Sequence, residues 1–139
     1  FSWKKVKLNF LIKLLVIFFI FFEYSFSNEN ITGQGLVLRV LNKITTEKIF
    51  FIMPLSQKLE LDNAEILAKS CITVENDGIP DEIALIQHKR KNKKESEDFL
   101  GWIFKSSKYI NSPINPIYDI QLEECLVDDP IFLQEKRSY

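Results

Sequence analysis

Two kinds of hydrophobic pattern follow one another along this chain. The first is a block. Lys4, Lys5 and Lys7, with Lys13 a little later, precede the apolar run Leu14–Phe22; Glu23, Tyr24 and the small-residue step Ser25-Phe26-Ser27 come next. A basic start, a short apolar stretch and a small-x-small exit have the form of a secretory signal peptide over residues 1–27. The run falls short of the roughly 20 residues a spanning helix needs. The other reading is an N-terminal anchor that is kept, tilted, with Lys13 reaching toward the headgroups.

From residue 28 onward the pattern is short and alternating. Asn28–Gln34 is polar and glycine-flanked, a flexible lead-in. Leu36–Leu41 is apolar apart from Arg39 and predicts a strand. Asn42–Thr46 is turn-like. Ile49–Met53 is a continuous apolar run of strand length, which suits burial on both faces. Leu59 and Leu61 alternate with Lys58 and Glu60, a half-buried strand. In Ile66–Val74 the period-two reading puts Ile66, Ala68, Ser70, Ile72 and Val74 on one face, and Leu67, Lys69, Cys71 and Thr73 on the other. The stretch Asn63–Lys69 has helix formers too, but the β-branched Ile72, Thr73 and Val74 favour the strand.

Glu75–Pro80 contains Asn-Asp-Gly and a proline, a turn. Glu82–Gln87 predicts another strand. His88–Lys94 is strongly basic and is followed by Glu95, Glu97 and Asp98, which reads as a solvated hairpin tip carrying an exposed histidine. Phe99–Phe104 is the most hydrophobic segment after the leader, and Gly101 within it predicts a bulge or a close backbone approach. Ser106–Asn115 is a loop. In Ile117–Cys125, Tyr118, Ile120 and Leu122 face one way and Cys125 falls on the polar side, so the strand has ended or a bulge shifts its phase. Val127–Tyr139 reads as a disordered or lightly docked tail. These segments predict an all-β domain at 35–126, a small sandwich or partly open barrel of about six or seven short strands.

Removing residues 1–27 from the 139 leaves 112, the size of one small domain. Four lysines and Glu23 leave with the leader, so 14 basic and 18 acidic side chains remain. That acidic excess argues against nucleic acid as a partner. Seven of the 12 phenylalanines also lie before residue 28, so the core is built from Ile, Leu and Val. Cys71 and Cys125 are the two cysteines. In an exported chain they suggest one disulfide, worth roughly 4 kcal/mol on the chain-entropy model; in a reducing compartment they would be two free thiols.

Gly101-Trp102-Ile103-Phe104-Lys105-Ser106-Ser107, then Asn115-Pro116-Ile117-Tyr118-Asp119-Ile120 and a closing Cys125, resembles a bacterial family signature. The resemblance is to the alphaproteobacterial domain-of-unknown-function family 2155, whose pattern runs Gly-Trp-Met-Phe-Ala-Ser-Ser, then Pro-Val-Tyr-Asp-Val, then a late Cys. More weakly, Leu38–Lys43, Phe51–Pro54 and Ala68–Cys71 resemble its earlier blocks. The likeness covers about residues 35–125. Asn42 departs from the usual Asp, and the loop at 89–94 is more basic than the pattern. The resemblance implies an export signal and brings no activity.

Catalytic material is scarce. A nucleophile needs a base partner, and His88 is the one histidine. Two distant cysteines and one histidine make a poor zinc site. The pairs Glu123-Glu124 and Asp128-Asp129 are adjacent, and neighbours on a strand point to opposite faces. No Cys-x-x-Cys, Gly-x-Ser-x-Gly or phosphate loop occurs. No catalytic residue, metal site or cofactor is expected. Trp102, Tyr118 and Asp119 are the candidates for an interaction surface, with Asp119 placed to cap Ser106-Ser107 or Asn111. The expected function is that of an exported periplasmic protein, a non-enzymatic accessory domain acting on an unknown envelope protein. Alternatives are a small ligand-binding module or enzyme with a site near those three residues, and, if residues 1–27 are retained, a membrane-tethered accessory factor of an inner-membrane complex.

Overall fold

The computed structural model describes residues 3–22, 30–76, 78–92, 98–108 and 110–138. Helix α1 spans Trp3–Phe22, and nine strands follow. They are β1 Ile31–Thr32, β2 Gly35–Asn42, β3 Lys48–Pro54, β4 Lys58–Glu60, β5 Ala64–Asn76, β6 Ile79–Arg90, β7 Phe99–Phe104, β8 Tyr118–Leu126 and β9 Gln134–Ser138. The step Ser25-Phe26-Ser27, read as the end of a signal peptide, lies outside the described residues. No described helix is long and apolar enough to cross a membrane.

The strands form two antiparallel sheets. One runs β1-β5-β6-β7 with β4 also on β5; the other runs β8-β2-β3-β9. Neither closes into a barrel, so the sandwich form of the all-β expectation holds. β2 is central in its sheet because it is the most uniformly apolar strand: Leu36, Leu38 and Val40 are wholly buried, and its one charged residue, Arg39, lies on the other face. The core between the sheets takes Ile66, Ala68, Ala84, Ile86 and Ile103 from one side, and Leu36, Leu38, Phe51, Met53 and Ile120 from the other.

Several local readings change. The helix alternative for Asn63–Lys69 gives way to a thirteen-residue strand, because pairing with β6 along its length rewards the apolar alternation more than local propensity does. Ile49–Met53 is not buried on both faces: Phe51 and Met53 are buried while Ile49, Phe50 and Ile52 are half-exposed. The tail is not loose, since Gln134–Ser138 pairs with β3 as an edge strand. Its charged sequence (Glu135, Lys136, Arg137) suits an edge that must not recruit another chain.

Two β-bulges set the geometry that matters most. In β5, Ala68 faces Ile86 and Ser70 faces Leu85, so Lys69 has no partner. In β8, Leu122 faces Leu38 and Glu124 faces Val37, so Glu123 has none. Each extra residue flips the strand's phase. Cys71 therefore joins the inward row of Ile66 and Ala68 instead of the outward row that strict alternation assigned it. Cys125 likewise joins Tyr118, Ile120 and Leu122. The two cysteines meet across the sandwich as a disulfide with a Cα–Cα distance of 5.6 Å. The backbone of the lead-in locks on at the same place: Gly33 N–H donates to Cys71 O at 2.7 Å, and Gln34 N–H to Leu126 O at 2.8 Å.

Candidate functional site

A buried polar node sits where β6 ends. His88 is not in an exposed loop; it is a strand residue, 1% exposed, on the inward row of Ala84 and Ile86. The basic run misled because strand β6 continues through Lys89 and Arg90 before it turns. Residues 93–97 of the expected hairpin tip lie outside the described residues. Beside His88 lies Asn115, 2% exposed. Its Oδ1 accepts from Ile117 N–H at 2.9 Å, Tyr118 N–H at 3.1 Å and Asn63 Nδ2 at 2.9 Å. Its Nδ2 donates to Asn63 Oδ1 at 3.0 Å and faces His88 Nε2 at 3.2 Å.

Two backbone N–H groups need Oδ1, so the amide cannot flip, and His88 must accept at Nε2. The imidazole is then neutral with its proton on Nδ1. Burial lowers the His88 pKa below its ordinary value, and Arg90 pushes the same way; a hydrogen bond to its own backbone and the charge of Asp98 act against this. Lys43 Nζ closes the node by donating to Asn115 O at 3.0 Å. The arrangement fastens the β7–β8 loop to both sheets. It offers no nucleophile, and His88 has no open face toward solvent. Asn115 escaped the sequence reading, although its Asn-Pro setting and its position two residues before Ile117 fit an Asx-turn.

The candidate surface residues do not meet. Tyr118 points inward, 8% exposed, and its hydroxyl donates to Asp62 Oδ2 at 3.2 Å. Burial, and then that carboxylate, raise its pKa. Asp119, the next residue, points out of the opposite sheet face and accepts from Gln121 Nε2 at 2.9 Å. It does not cap Ser106; Asp81 does, accepting from Ser106 N–H at 3.2 Å and from its hydroxyl at 2.7 Å. Trp102 faces away from the core on β7. Neighbours on a strand cannot line one pocket, so a site shared by Trp102, Tyr118 and Asp119 is not formed. Gly101 marks a close approach and not a bulge, since the β6–β7 register is regular. A Cβ there would sit 2.7 Å from Asn111 Nδ2, which donates to Trp102 O at 3.2 Å.

What Trp102 does share is a face. Outward from the β5-β6-β7 sheet, Ile72, Ile83 and Phe104 form one cross-strand row, and Ser70, Leu85 and Trp102 the next. Leu67, Gln87 and Leu100 form a third. These side chains are half-exposed, and Leu100 is 58% exposed.

Residues 36–125 match a family described as an uncharacterized protein conserved in bacteria, DUF2155. The chain belongs to this family. Leu36 and Cys125, the two ends of the match, are paired opposite one another in the β2–β8 register, so the DUF2155 match closes on itself around the disulfide. It takes in β3 to β7 whole and leaves β1 and β9 outside. No curated protein and no solved structure matches the chain. Among the described residues of this DUF2155 domain, no three His, Cys, Asp or Glu side chains gather where they could hold a metal ion.

Proposed function

We propose that this chain is an exported protein of the bacterial cell envelope, placed in the periplasm, and that it acts by binding another protein instead of by catalysis. One observation carries the reading: Cys71 and Cys125 are joined across the sandwich. A disulfide in the middle of a small core belongs to an oxidising compartment. The leader supports the same reading: α1 carries Lys4, Lys5 and Lys7 in its first turns and Lys13 ahead of its apolar half, and its large apolar side chains are all exposed. The apolar outer face around Trp102 supports the binding role.

The test is thiol trapping of the native protein in intact cells, with fractionation. Protection of both cysteines from alkylation until reductant is added, in a periplasmic fraction whose N-terminus begins after residue 27, is the expected result. A cytosolic pool with both thiols open to alkylation overturns the reading.

A further inference from the structure

The outer face of the β5-β6-β7 sheet is the strongest unexplained surface. In a two-layer sandwich the outward side of each strand is expected to be polar. Here the three rows around Leu85 and Trp102 hold only two polar side chains on β5, β6 and β7, Ser70 and Gln87, with Thr32 of β1 and Lys58 of β4 at their ends. No described element forms a layer over them. The free edge of β7 is a different matter: Asn111 already occupies it at Gly101 and Trp102. An added strand has no room there, so a partner must lie on the face.

Size limits what that partner is. Three strands and about five residues of length give roughly 15 Å by 17 Å. This is far below the roughly 800 Å² per partner of a stable protein pair, so a second copy of the chain packed sheet on sheet would be held weakly. It is the footprint of one helix, about 10 Å across. Charge gives a direction. The rim near Leu67 carries three exposed lysines, Lys58, Lys69 and Lys89, against two carboxylates, Glu60 and Glu65, with Glu65 opposite Lys89 and 4.0 Å from Lys58, so one positive charge is in excess there. The rim beyond Val74 carries Asp81, its carboxylate held by Ser106.

We infer that this face docks a single amphipathic helix from another envelope protein, its apolar stripe over Leu85, Trp102 and Leu100 and its acidic end over Lys58, Lys69 and Lys89. The inference rests on the binding-domain reading above and names the surface and the partner's chemistry.

The full chain carrying Trp3→Phe has Trp102 as its one tryptophan, so its fluorescence reports on this face. The probes are two stapled helical peptides of about 14 residues, roughly 20 Å long, with the same Leu stripe and either Glu or Lys at the matching end. The Glu peptide is expected to shift Trp102 emission to the blue and to bind about tenfold tighter than the Lys peptide. Leu100→Asp, at an exposed position, is expected to abolish the shift, and Lys89→Glu to erase the preference. Absence of a shift, equal affinity for both peptides, or binding unchanged by Leu100→Asp overturns the inference. So does a shift with phosphatidylglycerol vesicles alone that Leu100→Asp removes, which would assign the face to lipid. A dimer in sedimentation that hides Trp102 without peptide would assign it to a second copy. Any of these leaves the thiol-trapping result, and with it the envelope reading, untouched.

Discussion

The two outer faces of this sandwich differ. On the β8-β2-β3-β9 sheet, Phe50 lies in a row with Lys136, Arg39 and Gln121, and Arg39 and Asp119 both hydrogen-bond Gln121. Leu41 is flanked by Lys48 and Asp119 in the same way. Val37 and Ile52 are paired with each other, but Glu124 and Gln134 close that row at both ends. On the β1-β5-β6-β7 sheet the row Ile72, Ile83, Phe104 is apolar across three strands, and its one polar member is Thr32 at the β1 end. The first face is finished against water and the second is not. Apolar content alone therefore does not separate a core layer from a contact surface; what stands on the other side of the sheet does.

The comparison can be broken most strongly at the link between the layers. Replacing Cys71 and Cys125 together by Ala is expected to cost about 4 kcal/mol in denaturant unfolding. If the cost is near zero, the disulfide is not what holds the sheets in register. The next test uses neighbours in sequence on opposite faces. Ile86→Ala, inward and fully buried, should cost about 2–5 kcal/mol, while Leu85→Ser, outward, should cost less than about 1 kcal/mol. Equal losses would mean the outer face of β6 is a core layer after all.

Asn115→Ala strips acceptors from two backbone N–H groups and should cost about 1–3 kcal/mol, read as a lower melting temperature and faster proteolysis of the β7–β8 loop. The His88 effect depends on pH. Its folded pKa lies below the ordinary 6.5, so between the two values the unfolded chain binds a proton that the folded chain refuses. Stability is whole above about pH 6.5 and declines as the pH drops through that window. His88→Gln, which can still accept from Asn115, should flatten the decline; an unchanged slope in urea titrations would place the acid sensitivity elsewhere. The smallest effect is expected at the polar face, where Arg39→Ala should cost no more than about 1 kcal/mol.

How much was legible follows from what each feature depends on. Period-two alternation identified β4, β5 and β8, because one buried and one wet face imprint themselves directly on residue order, and short apolar runs identified β2, β3 and β7. The all-β class, the leader pattern and the cysteine pair were on the page for the same reason: each is a local or compositional property. The candidate surface was legible only at Trp102. Tyr118 and Asp119 looked like its companions, but adjacent strand residues point apart, and the sequence does not say which sheet each strand joins. His88 could have been placed by extending the row Ala84, Ile86 by two; the lysines around it hid that phase.

Residue order by itself determined the elements, their apolar content and the pairing partners available to two cysteines. Tertiary structure decided which way those elements face. The bulge at Lys69 left no mark on the hydrophobic pattern, since an unpaired residue is defined by the strand beside it; the one at Glu123 showed only as a break of phase at Cys125, which a strand end would have explained as well; each one inverts everything downstream. That inversion turned Cys71 and Cys125 toward each other, and it left Ile72 on the outer face of its sheet.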